Sequence, residues 1–143
     1  MYDDDVNALL YTGEGVHLYV LDTGINYAHP DFAGRIAEGY NAYRDLSCAA
    51  PPADPTAAGS HNYCADEDGH GSHVAGTAAG ATKGVASRAI IHPVRVFDTA
   101  GNNCIRGFIW AKEHFTTLRA TNPSAKAVLV ASLGTIGDRP SSC

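Results

Sequence analysis

The chain has 143 residues, of which 45% are hydrophobic and 17% charged, and its formal charge is −5. That length suits one domain able to bury about two-thirds of its unfolded surface. The acidic balance and the lack of any Lys/Arg run argue against a nucleic-acid binder, and no segment approaches the ~18 apolar residues of a membrane-spanning helix.

The start, Met1-Tyr2-Asp3-Asp4-Asp5, is acidic and reads as solvated. It lacks the apolar core of a secretory signal. Val16-His17-Leu18-Tyr19-Val20-Leu21 is a β-branched and apolar run ended by Asp22-Thr23-Gly24, which predicts a buried strand stopping in a turn. Residues 35–43 form a weaker strand candidate. Residues 46–68 carry Pro51, Pro52, Pro55 and Gly59 and read as a long loop. Residues 70–81 are dominated by Gly, Ala, Ser and Thr, a composition that fits a buried helix pressed against neighbouring backbone better than a surface one.

Residues 90–97 predict a strand interrupted by Pro93. Ile105, Phe108, Ile109, Ala111, Phe115 and Leu118 fall at helical spacing, and Asn122-Pro123 stops that helix. Ala127-Val128-Leu129-Val130-Ala131 is a continuous apolar run expected to be a buried strand. The alternation of strand and helix implies an α/β fold with a parallel sheet covered on both faces.

Four cysteines stand at positions 48, 64, 104 and 143, and they allow three pairings into two disulfides. Cys48 and Cys64 flank the long loop, so a local bridge and free buried thiols are both open readings there. No C-x-x-C pair points to zinc.

Asp22 directly follows a strand, at the sheet edge where ligands and catalytic groups collect in open α/β folds. His70 lies between Gly69 and Gly71 at the start of the small-residue helix, with room for close approach. A His paired with a buried carboxylate gains a fixed tautomer and a stabilised imidazolium, as a general base needs. His73 stands three residues on, so Asp22, His70 and His73 are a candidate metal set. The zinc-peptidase helix carries H-E-x-x-H, and this one reads His70-Gly71-Ser72-His73 with no such Glu. His73 is therefore expected to be a structural histidine bonded within the core.

Asp22-Thr23-Gly24-Ile25 and His70-Gly71-Ser72-His73-Val74-Ala75-Gly76-Thr77 resemble the Asp and His motifs of the subtilisin-like serine peptidases, with the proteinase K-like branch nearest in appearance. Further matches are Thr12-Gly13-Glu14-Gly15-Val16, His29-Pro30-Asp31-Phe32, Gly84-Val85-Ala86, Val94-Arg95-Val96-Phe97-Asp98 and Ser132-Leu133-Gly134. The resemblance covers residues 11–134, and 135–143 form a divergent tail. It implies a three-layer α/β/α fold with a mainly parallel sheet, of which residues 1–143 would be a truncated, N-terminal part of the catalytic domain.

The same resemblance implies a role for each matched residue. Asp22 would orient His70, and His70 would take a proton from the Ser Oγ and pass it to the leaving amine. Ser132, Leu133 and Gly134 would pair with a protein or peptide substrate bound as an extended strand. Gly101 would flank the cleft opposite, although Asn102-Asn103-Cys104 departs from the family's small-residue pattern there.

Nothing matches the family's G-T-S-M-A type Ser motif, and the oxyanion-hole Asn is absent too. The chain alone is thus expected to be inactive. The non-catalytic alternative is a pseudopeptidase or peptide-binding module. No cofactor is required by the chemistry. Calcium is a family habit for stability, with Asp31, Asp66 and Asp68 as oxygen donors of the right kind and no ligand set assigned. Family habit and the even cysteine count point to an exported parent protein.

Overall fold

The computed structural model describes residues 11–48, 63–98 and 101–134. The acidic start, most of the Pro-rich loop and the tail at 135–143 lie outside the described residues. Strand β1 spans Val16–Asp22, β2 Gly39–Asn41 and β3 Leu46–Cys48. Helix α1 spans His70–Ala79, β4 Ile90–Arg95, β5 Phe97–Asp98 and β6 Gly101–Asn102. Helix α2 spans Cys104–Thr121 and β7 Lys126–Ala131.

Five strands form one sheet in the order β3-β2-β4-β1-β7. The pairs β2/β4, β4/β1 and β1/β7 are parallel, and only β2/β3 is antiparallel. The period of two along β1 divides its side chains between two cores. Leu18 and Val20 pack with Ala75 and Ala79 of α1, whereas Tyr19 and Leu21 pack with Cys104 and Ala111 of α2. The sheet is thus covered on both faces, giving the expected α/β/α layering. Asp22 continues the even-numbered set and so belongs to the α1 face.

The helices start and stop for local reasons. Asn103 caps α2 by accepting from the Arg106 amide, and Asn122 ends it ahead of Pro123. Helix α1 has Gly69 at its N-cap with φ of 103°, a position without a side-chain acceptor. The first turn must find its acceptor elsewhere.

Four expectations change on the structure. Pro93 does not interrupt β4; it is buried within the strand and registers with Val20 of β1. Its missing N–H faces the other neighbour, where pairing lapses between the Ile36–Ile91 bridge and the Tyr40–Val94 pair. Leu46–Cys48, assigned to the loop, forms antiparallel β3. The strand candidate at 35–43 shrinks to Gly39–Asn41. β7 is not a buried strand: among the described residues it pairs only with β1, and Val128 and Leu129 are 51% and 40% exposed.

Cys48 and Cys64 form a disulfide with Cα atoms 5.9 Å apart, which selects the local bridge. Closing a loop of that length stabilises the fold by roughly 3 kcal/mol in the chain-entropy view. The bridge also pins the segment leading to α1: the Cys64 carbonyl accepts from the Ile25 amide at 2.9 Å.

Candidate active site

β1 delivers Asp22 to the carboxyl edge of the sheet, and α1 delivers His70 as its first residue. Asp22 is fully buried. Its Oδ1 accepts from the Thr23 amide at 2.7 Å and from His70 Nδ1–H at 2.8 Å. With the proton on Nδ1, the other ring nitrogen, Nε2, carries the lone pair. The imidazole is half exposed, so that lone pair is open to a reactant. Oδ2 of Asp22 is buried without a hydrogen-bond partner among the described residues. A poorly solvated carboxylate favours a cation alongside it more strongly than a hydrated one does.

The His70 pKa is raised accordingly. The hydrogen bond to Asp22 contributes most, followed by the charge of Asp22, with smaller help from Asp68 and Asp66 against the effect of burial. These carboxylates offset the positive end of α1, which by itself disfavours an imidazolium.

Close packing sets the distance between acid and base. A Cβ on Gly71 would collide with the carbonyl oxygen of Gly24 and stand 3.1 Å from the Asp22 Cβ. Gly24 itself has φ of 120° and lies against the carbonyls of Cys64 and Ala65. The small-residue motif therefore exists to bring the α1 backbone onto the Asp22 loop. Gly71→Ala is expected to destabilise the fold by roughly 1–3 kcal/mol and to lengthen the Asp22–His70 bond. Urea unfolding at neutral pH, with the Nδ1–H proton resonance of His70, checks both effects.

The remaining sequence-predicted residues also lie toward the carboxyl edge. Ser132, Leu133 and Gly134 follow β7 one step beyond the Leu21–Ala131 pair, and Leu133 packs into the core on the α2 side. Gly101 begins β6 and pairs with Asp98 of β5 in a separate two-stranded ribbon. A cavity of about 230 Å³ is lined by Thr23, Glu67, Asp68, Arg95, Phe97 and Asp98. The buried Arg95 guanidinium there donates to the Ala65 carbonyl at 2.7 Å and to Glu67 at 2.8 Å.

His73 is not bonded in the core. Its side chain is exposed on α1 and lines an outer groove with His29, Asp31 and Lys83. The i+3 position of a helix held by its other face to the sheet points that way. Among the described residues, no three His, Cys, Asp or Glu side chains group closely enough to hold a metal. Asp31 lies in that groove, where its carboxylate accepts from Thr82 Oγ1, and Asp68 accepts from the His70 amide.

Sequence reasoning missed the role of Asp66. Its carboxylate takes bonds from Thr23, Gly69 and Ser72, and so supplies the acceptor that Gly69 lacks. The available signal was an acidic residue just before a helix whose N-cap is glycine.

The mainly parallel α/β sheet thus carries at its carboxyl edge a buried Asp bonded to a half-exposed His, a pairing able to move a proton. Residues 13–143 match the model of the subtilase family, a family of serine-type peptidases, and the chain belongs to that family. It is 41% identical over 117 residues to an extracellular serine proteinase of Thermus sp. (strain Rt41A), covering 79% of this chain and 25% of that protein. It is 40% identical over 126 residues to subtilisin-like protease 3 of Pseudogymnoascus destructans, covering 85% and 26%.

Among solved structures, sphericase aligns with TM-score 0.60 and 28% identity over 89% of this chain and 39% of its own. A cold adapted subtilisin-like serine proteinase aligns with TM-score 0.53 and 29% identity over 85% and 37%. The chain spans about a quarter of the length of the curated relatives it matches.

Proposed function

We propose that this chain supplies the acid–base half of a subtilisin-like serine endopeptidase. The observation that carries the reading is the 2.8 Å bond from His70 Nδ1–H to buried Asp22, with Nε2 left as the acceptor. In the proposed reaction His70 Nε2 removes the proton from the Ser Oγ as that oxygen attacks the scissile carbonyl carbon. His70 then protonates the departing amine, and Asp22 stabilises the imidazolium between the two transfers. The sequence holds no G-T-S-M-A type motif, and the nucleophilic Ser and the oxyanion Asn are proposed to lie outside it. Alone, the chain is proposed not to hydrolyse peptide bonds.

The substrate is proposed to lie as an extended strand along Ser132-Leu133-Gly134, with Gly101 across the cleft. Secretion is proposed from the extracellular relative. A stabilising calcium is proposed without ligands, since Asp66 already receives five N–H and O–H donors.

Two measurements test the reading. The purified chain is expected to leave a labelled unstructured protein intact. The source transcript read past the codon for Cys143 is expected to show an in-frame Asn and a G-T-S-M-A type motif. A stop codon there, with tight binding of extended peptides by the chain, would support a peptide-binding relative without a nucleophile instead.

A further inference from the structure

We propose that Asp66 is a positioning residue for the catalytic pair: its carboxylate ties the loop that carries Asp22 to the first turn of the helix that carries His70. The inference rests on the acid–base reading of that pair.

Asp66 Oδ1 accepts from Thr23 Oγ1 at 2.8 Å, the Gly69 amide at 2.8 Å and the Asp68 amide at 3.1 Å. Oδ2 accepts from the Ser72 amide at 2.8 Å and from Ser72 Oγ at 2.6 Å. Thr23 adjoins Asp22 in the chain, and Gly69 and Ser72 bracket His70. One carboxylate therefore holds both partners by their neighbours.

Two further bonds close the links into rings. Thr23 Oγ1 accepts from the Gly71 amide at 2.9 Å, and Ser72 Oγ accepts from the Asn26 amide at 2.9 Å. Sliding α1 along the sheet would break several of these bonds at once. The carboxylate also sits at the positive end of α1, where an anion is favoured. Burial acts to raise its pKa, but the donors from Ser72, Gly69 and Thr23 outweigh burial and hold it near about 2. Asp66 is thus an acceptor throughout the neutral range. It touches no reacting atom and would act through Asp22 and His70.

A purely capping role predicts lost stability and nothing more. Positioning predicts a changed His70. The test follows the Nδ1–H proton resonance and the titration midpoint of His70 by NMR in the 143-residue chain, wild type and variants. Asp66→Asn removes the charge and part of the network. Asp68→Asn is the charge control, because Asp68 raises the His70 pKa more than Asp66 does. Thr23→Val cuts the link at constant charge.

The expected result is a downward midpoint shift and a weakened Nδ1–H signal in Asp66→Asn larger than in Asp68→Asn, with the same direction in Thr23→Val. An Asp66→Asn effect no greater than that of Asp68→Asn, with Thr23→Val unchanged, overturns the proposal. If Asp66→Asn does not fold, Thr23→Val decides alone, and a wild-type His70 signal in it overturns the proposal. Failure of the acid–base reading would show separately, as a wild-type His70 that Asp22→Asn does not move.

Discussion

Replacing His70 by Ala in a product that also carries the family's Ser and oxyanion Asn is expected to lower turnover on the order of a millionfold. That size is the one found for the same triad in a subtilisin, not a value derived from the distances here. The direction follows from the site. His70 is the group whose Nε2 can accept a proton at the cleft while its Nδ1 is held by a buried carboxylate at 2.8 Å. Without it the Ser hydroxyl stays protonated and the leaving amine departs unprotonated. Asp22→Ala is expected to cost less, roughly ten-thousandfold, because the imidazole remains but loses its tautomer and charge partner. Steady-state turnover of an unstructured protein substrate measures both. A His70→Ala product within tenfold of the parent would remove the assigned base.

Acid is expected to destabilise the chain as the pH falls from 6.5 toward about 4, through buried histidines. A second histidine group lies on the α2 face. His17 Nδ1–H donates to His92 Nε2 at 2.8 Å, and His92 Nδ1–H donates to the Glu38 carbonyl at 2.7 Å. Tyr19, Trp110 and His114 complete the aromatic stack, and the Glu38 carboxylate stands 3.8 Å from His114. Burial pushes the His92 pKa from 6.5 down to about 4, and the facing His114 and His17 add to that shift against the Glu38 bond. Burial lowers His17 and His114 as well.

A depressed base is neutral in the native state where the unfolded chain has already taken up its proton. Stability is therefore lost as the pH falls from 6.5 toward about 4, by about 3 kcal/mol for His92 alone. His70 works the other way: its raised pKa makes its contribution grow as the pH falls through 6.5, so it offsets part of this loss. Asp66, near about 2, stays ionised through this window. Urea midpoints at pH 7 and pH 4.5 check the expectation, and His92→Gln should flatten the difference. Equal midpoints at the two pH values would contradict it.

The Asp22–His70 pair was legible because its motifs are local. Asp22 ends an apolar run, and His70 opens a stretch of small residues whose only sensible use is close backbone contact. The layering was legible for the same reason: strand and helix alternate, and β1 is apolar from Leu18 to Leu21, the positions that enter the two core clusters. What was not legible depends on distant partners. Asp66 lies 43 residues from Thr23, and the composition of a Pro-rich loop hides a residue with five donors. His17 and His92 lie 75 residues apart and each reads alone as an ordinary histidine. Apolar content along β7 says it can be a strand but not how many neighbours it has. Pro93 argues against a central strand unless the lapse in pairing beside it is known. His73 shares a motif and an exposed helix side with His70, and only the docking of α1 settles which of the two meets Asp22.

The most direct test of the central claim is the NMR titration of His70 in the chain itself, with Asp22→Asn as the comparison. The expected result is a His70 midpoint above its ordinary 6.5, with the proton held on Nδ1 and a clear fall in the midpoint when Asp22 loses its charge. A midpoint at or below 6.5, unchanged by Asp22→Asn, would contradict the assignment of Asp22 and His70 as the acid–base pair.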